Sequence, residues 1–172
     1  FAHSGWDLKP VLLSKNVASK LIVAGVLALD DLKTPHESGK GVVGGAGIYS
    51  SIASSLFTET ALVAAIGYDF PADFIDKIES KGIDIKSVRK LEYPTFHWSG
   101  EYKEDMAQAI THETDFQINE HYDWEIEKEH RKARSLLLCN NDPHIQKRVL
   151  EQMDAEIIAM DTMNLWIDIA KE

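Results

Sequence analysis

Val42-Val43-Gly44-Gly45-Ala46-Gly47-Ile48 opens the stretch, running to Val88, whose order of elements decides the fold. Two β-branched residues run into glycines, which reach φ > 0 and let a neighbour approach the backbone closely. From Ile48 to Leu56 apolar residues recur at helical spacing with small ones between, predicting a helix packed tightly on a sheet. Free N–H groups at its start favour a polar or anionic ligand, although a tight turn with a closely packed helix gives the same pattern. Ala61-Leu62-Val63-Ala64-Ala65-Ile66 is a continuous apolar run suited to a parallel strand buried on both faces, and it ends in Gly67-Tyr68-Asp69-Phe70-Pro71. Pro71 suits the first turn of a helix over Ala72 to Lys81, where Phe74, Ile75 and Ile78 form an apolar stripe and Gly82-Ile83-Asp84 supplies the stop.

Upstream, the apolar run Leu21 to Leu29 predicts the first central strand, with Asp30 and Asp31 at its carboxyl end, where open α/β sheets bind ligands. Lys33 to Gly41, with Pro35, Ser38, Gly39 and Gly41, reads as a polar loop. Downstream, Thr95 to Tyr102 is rich in β-formers and Ala107 to Thr114 predicts a return strand. Asp123 to Arg134 reads as a charged helix anchored by Trp124 and Ile126. Ser135 to Cys139 predicts a buried strand ending at Asn140-Asn141-Asp142-Pro143, His144 to Met153 a helix with Ile145, Val149, Leu150 and Met153 inward, and Glu156 to Met160 another strand. Alternating strands and helices imply an α/β fold with a mostly parallel sheet flanked by helices.

The sequence has 172 residues, 44% of them hydrophobic, enough for one domain with a real core. A formal net charge of −10 argues against nucleic-acid binding through a general basic surface. The single cysteine, Cys139, forms no internal disulfide, and the apolar runs are too short for a spanning helix; a soluble cytoplasmic protein is the expectation. Residues 1–20 read as a leader or extension, and 21–172 as the N-terminal part of a longer domain, since Trp166 to Glu172 resembles the middle of an amphipathic helix. None of the seven histidines is expected to hold a metal, although His97 and His112 are placed to meet across the predicted hairpin.

In this order, Gly44-Gly45, then Gly67-Tyr68-Asp69-Phe70-Pro71, then Gly82-Ile83-Asp84 resemble the ribokinase-like (PfkB) family of carbohydrate and nucleoside kinases. Thr95-Phe96-His97-Trp98, Asn141-Asp142-Pro143 and Asp161 to Ile167 are similar to a sugar-kinase branch of it. The resemblance implies a Rossmann-like, ribokinase-like sheet with a small inserted β lid contributed by about residues 92–118. It also implies a substrate pocket in which Asp30, five positions after Gly25, accepts sugar hydroxyls, while Gly44 and Gly45 give backbone donors and clearance. Tyr49 stands where the family usually has Asn; Trp98 and Tyr102 are candidates to stack on the sugar, or to build a lid-to-lid homodimer contact or a small core. Asn141 matches a strand-end substrate position, and Asp161 and Asn164 sit where the family handles phosphate and magnesium.

The family transfers the γ-phosphoryl of ATP, with Mg2+, to a hydroxymethyl group, using a catalytic Asp in a Gly-Ala-Gly-Asp type motif. No such motif follows Asp161, so no catalytic residue is assigned within this sequence, and ATP is expected to bind mainly beyond it. The alternatives are an adenosine-like nucleoside kinase, a non-catalytic sugar-binding pseudokinase, and an NAD-binding oxidoreductase suggested by Gly45-x-Gly47 and Asp69. The partner expected is a small-molecule sugar or nucleoside, with no nucleic acid and no membrane.

Overall fold

The computed structural model describes residues 20–170, so the predicted leader lies outside the described residues apart from Lys20. Five parallel strands form the central sheet: β1 (Leu21–Ala24), β4 (Thr60–Ile66), β5 (Asp84–Lys90), β8 (Ser135–Leu138) and β9 (Ile157–Met160), in the order β5-β4-β1-β8-β9. Strand β4, between β5 and the middle strand β1, is buried along its whole length, as its unbroken apolar run requires. Helices α1 (Ala46–Ser55), α2 (Ala72–Ser80), α4 (Pro143–Leu150) and α5 (Asn164–Ile169) alternate with these strands. The two apolar cores separate about this sheet: Ile22, Ala61, Val63, Leu136 and Trp124 belong to one, and Val23, Leu62, Ala64, Ile48 and Ile78 to the other. The alternation of residues along β1 and β4 between two cores is the period-2 geometry of a strand covered on both faces.

The first strand is shorter than the apolar run. It stops at Ala24, and β2 (Ala28–Lys33) begins after a turn. A Cβ on Gly25 would lie 2.8 Å from the Cα of Gly47 and 2.7 Å from the Cβ of Cys139, while Gly47 N–H donates to the Val26 carbonyl at 3.0 Å. The start of α1 therefore presses on the strand end and turns the chain out of the sheet. Asp30 and Asp31 consequently sit within β2, not at the end of a central strand.

The predicted polar loop 33–41 is mostly strand: β3 (Ser38–Gly44) pairs antiparallel with β2, closed by a turn in which Thr34 Oγ1 accepts from the Glu37 and His36 N–H groups. β6 (Phe96–Tyr102) pairs parallel with β2, and β7 (Ala109–Asp115) pairs antiparallel with β6, giving a second sheet β3-β2-β6-β7. The predicted β6–β7 hairpin is thus half of a four-stranded sheet. His97 and His112 do not meet in it; His97 pairs in register with Asp115.

Residues 123–134 form no α-helix. Tyr122, Trp124 and Ile126 are buried in alternation with exposed Asp123 and Glu125 along an irregular segment in which Trp124 takes φ 54. The Gln152 side chain holds this backbone, donating to the Trp124 carbonyl and accepting from Ile126 N–H, and only a 3-10 turn, His130–Lys132, follows. Along α4, Ile145 and Val149 are buried as predicted, whereas Leu150 is exposed. At the sheet's edge Ile157, Ile158 and Met160 of β9 are exposed. No helix among the described residues is long and apolar enough to cross a membrane.

At the amino ends of β1 and β5, Lys20 Nζ lies 2.9 Å from Asp84 Oδ2, which is also 3.0 Å from Nε2 of the fully buried His130. Burial pushes the Asp84 carboxyl up, but the Lys20 and Lys86 N–H donors and the adjacent His130 ring outweigh it and hold it at about 2, below the ordinary 3.8. A carboxyl depressed in the folded state stabilises above its unfolded value and loses that contribution as pH falls through the folded one. Asp84→Asn is therefore expected to lower the urea midpoint at pH 7, and the gap from wild type to shrink as pH drops from 3.8 towards 2. Equal midpoints at pH 7 would refute this.

Candidate functional site

The strand order places β4 and β5 on one side of β1 and the later β8 and β9 on the other, so the direction of winding reverses at β1 and opens a crevice beyond the carboxyl ends of β1 and β8. Gly25 and the segment Cys139 to Asn141 line that end. Cys139 is buried there, its Sγ facing the Ala46 carbonyl, and burial pushes the thiol up, so it is a packing residue rather than a nucleophile.

The second sheet brings Asp30, Gly44 and Trp98 together. Asp30 pairs in register with Trp98 on one side and with Val42 on the other, and Ala28 pairs with Gly44, so these residues share one face. The Asp30 carboxylate lies over Gly44: a Cβ there would be 2.2 Å from Asp30 Oδ2. The clearance at Gly44 thus holds the carboxylate. Gly45 takes φ 98 and ψ 143 at the N-cap of α1, where a Cβ would be 2.3 Å from the Val26 carbonyl oxygen. Both glycines are needed, for different neighbours.

A register shift between Asp30 and Leu32 bulges β3, which sets Lys40 and Gly41 against the single residue Asp31, and Asp31 Oδ1 accepts from the N–H of Gly41 within that bulge at 2.8 Å. Such irregularities re-aim side chains at functional edges. The Gly41 donor above all, with His97 at 3.6 Å, holds Asp31 below its ordinary value despite some desolvation. Asp30 goes the other way: burial lifts it to about 6 against the pull of His97, and Asp31 adds to the rise. Adjacent aspartates are thereby divided into a structural one and one held half-buried with a costly charge, which marks a functional candidate.

The indole of Trp98 lies across Gly100, where a Cβ would meet it at 2.4 Å; its Nε1 donates to Thr111 Oγ1 at 3.1 Å, and Tyr102 lies 6.4 Å away, tilted. Trp98 and Tyr102 are therefore fixed within the sheet. His112 faces Glu101 at 3.9 Å. The sheet is tied to the core at Gly67 and Asp69: Thr95 N–H and Oγ1 donate to Asp69 Oδ1 at 2.8 and 2.6 Å, and Gly67 N–H donates to Thr95 Oγ1. This engagement occupies the carboxylate that a dinucleotide reading needs for ribose, and Gly45 and Gly47 follow a strand of the second sheet, so the geometry does not favour the oxidoreductase alternative.

Asn141 is buried just past β8. Its Oδ1 accepts from Asp142 N–H at 2.8 Å and from Asn119 Nδ2 at 3.1 Å. Asn119 lies in α3 (Gln117–Glu120), which follows β7; sequence reasoning missed it, and its only signal is an amide next to the apolar Ile118. Tyr49 on α1 is 65% exposed. Asp161 and Asn164 are exposed at the end of β9 and the start of α5; the Asp161 carbonyl accepts from Gln146. Oxygen donors suit Mg2+. One exposed carboxylate and one amide nonetheless fall short of a magnesium–nucleotide site. Asp84, Glu129 and His130 do present ligand atoms within 4.8 Å of one another, but at the opposite sheet end, with the Lys20 ammonium already among them.

No protein-family model matches the sequence, and no curated protein matches it significantly. Solved structures do. The chain is similar to a nucleoside kinase of the ribokinase family from Methanocaldococcus jannaschii, with 15% identity and TM-score 0.62 over 83% of this chain and 52% of that one. It is similar to the Burkholderia thailandensis nucleoside kinase in complex with inosine, with 16% identity and TM-score 0.62 over 82% and 50%. It is also similar to a ribokinase II from E. coli in complex with ATP and Mg2+, with 14% identity and TM-score 0.65 over 89% and 56%. The fold is therefore ribokinase-like α/β, as the ordered motifs implied. The chain spans about half the length of these structures.

Proposed function

We propose that this chain is the N-terminal, substrate-binding part of an ATP-dependent cytoplasmic kinase that phosphorylates a hydroxymethyl group of a sugar. The observation that carries this reading is the Asp30 carboxylate, half-buried over Gly44 and on one sheet face with Trp98. A desolvated carboxylate accepts two hydroxyl hydrogen bonds, and an indole on the same face offers apolar area to a sugar ring. ATP and Mg2+ serve as co-substrate and metal of the whole protein, held mainly by residues beyond these. The exposed apolar side chains of β9 are consistent with further packing there. The second sheet acts as the lid, and its outer strands β3 and β7 are the edges through which a second copy would pair.

A nucleoside substrate is the second reading, favoured by the inosine bound to the Burkholderia relative. The test is thermal stabilisation of the chain by a panel of pentoses, hexoses, inosine, adenosine and NAD. Stabilisation by a sugar or nucleoside, absent with NAD and abolished in Asp30→Ala, is the expected result. An unaltered response in Asp30→Ala would overturn the pocket. Measurable ATP-dependent phosphorylation by the 172 residues alone would overturn the assignment of nucleotide binding to residues beyond them.

A further inference from the structure

Asn141 and Asn119 are 4% and 7% exposed, yet each leaves one polar atom without a partner: Nδ2 of Asn141 and Oδ1 of Asn119. Their orientations are pinned. Asn141 Oδ1 already accepts from two donors, Asp142 N–H and Asn119 Nδ2, which turns its own Nδ2 away from them. Asn119, in donating that bond, is left with a bare carbonyl oxygen. Two side-chain amides joined by one hydrogen bond thus present one unmet donor and one unmet acceptor, and buried polar atoms are rarely left so.

The couple joins two elements that define the crevice. Asn141 follows the carboxyl end of β8, beside the point where strand order reverses, and Asn119 follows the last lid strand, β7. A group bound there would link lid to core.

We propose that Asn119 and Asn141 form a hydroxyl-reading couple: one substrate hydroxyl donates to Asn119 Oδ1 and accepts from Asn141 Nδ2, making Asn119 a specificity-determining residue. A hydroxyl is the small group that supplies both a donor and an acceptor, whereas a carboxylate or phosphate would leave the carbonyl oxygen unmet. The couple therefore selects a neutral polyol or ribose hydroxyl. This rests on the sugar or nucleoside reading above.

The experiment measures, by calorimetry on the whole protein carrying this sequence, affinities for inosine, ribose and their 2-, 3- and 5-position deoxy analogues. In wild type one deoxy analogue is expected to bind about 10- to 100-fold more weakly than its parent. Asn119→Leu should weaken the parent by a similar factor and bind parent and that analogue equally, with the other ratios unchanged. Asn119→Gln, which keeps both the amide donor to Asn141 Oδ1 and the carbonyl acceptor, should restore part of the discrimination and decides the matter if the leucine variant does not fold. A uniform loss across all ligands, or unchanged ratios, would overturn the couple and leave a bound water as the partner of both atoms. If wild type binds no sugar or nucleoside at all, the functional reading fails and the couple with it. Binding with unchanged ratios sinks only the couple.

Discussion

Gly45→Ala is expected to lower the unfolding midpoint by about 6–20 °C, corresponding to about 3–5 kcal/mol for a domain of this size. Two costs coincide at this residue. Its φ of 98 with ψ of 143 lies in a region open essentially to glycine alone, and a Cβ would sit 2.3 Å from the Val26 carbonyl oxygen and 3.0 Å from Ala28 N. Both obstacles are backbone atoms, so no rotamer change relieves them. Gly82 provides the control, having φ 79 but nothing within 4 Å of a Cβ; Gly82→Ala should lose only about 1–2 kcal/mol. Equal losses in chemical denaturation would show that the Val26 contact contributes nothing. The damage would also be directional. Val26 and Ala28 lead into β2, which carries Asp30, so a Gly45→Ala chain that folds should bind ligand more weakly than its stability loss explains.

That dependence of Asp30 on a glycine in another element bears on what the sequence discloses. The parallel core is legible because burial on both faces demands continuous apolar runs such as Ala61 to Ile66. The exit at Gly25 is not legible, because Val26 and Leu27 are as buried as the strand before them and the hydropathy does not change. What ends the strand is contact with Gly47, distant in sequence. β3 is hidden for a different reason: it lies mostly exposed at the edge of the second sheet, so no apolar face obliges its residues to be anything but polar and glycine-rich. Residues 123–134 do carry a readable signal, since Tyr122, Trp124 and Ile126 alternate, but the charges between them suit a helix surface equally well. At the site, Asp30, Gly44 and Gly45 are marked by the motif resemblance. Asn119 is a single amide in a four-residue helix, and its significance comes from its bond to Asn141.

Asp30→Asn is expected to make the chain more stable and a poorer binder at once. The carboxyl titrates at about 6 in the folded chain against an ordinary 3.8, because burial disfavours its charge more than His97 favours it. The folded state therefore holds this proton more tightly than the unfolded chain does. Above pH 6 the ionised group burdens the folded state in full; as pH falls from 6 to 4 the burden fades, because the folded carboxyl takes up its proton. Asparagine is never charged. Discounted for the solvent that still reaches a half-buried group, the gain at pH 7.5 should be about 1 kcal/mol, or about 2–4 °C in midpoint. At pH 4 the two proteins should melt together. Ligand affinity should move oppositely, falling about 10- to 100-fold at pH 7.5, since an amide replaces charge-assisted hydrogen bonds to substrate hydroxyls. Wild-type affinity should itself decline as pH is lowered through 6, and the asparagine variant should lack that decline, which assigns the pH dependence to Asp30. Gly44→Ala tests the same placement from below, because its Cβ would push the carboxylate aside while leaving the charge in place. A carboxylate that served only the fold would lose stability on substitution. One kept for a ligand gains stability and loses the ligand, because the unfavourable charge is retained for what it binds.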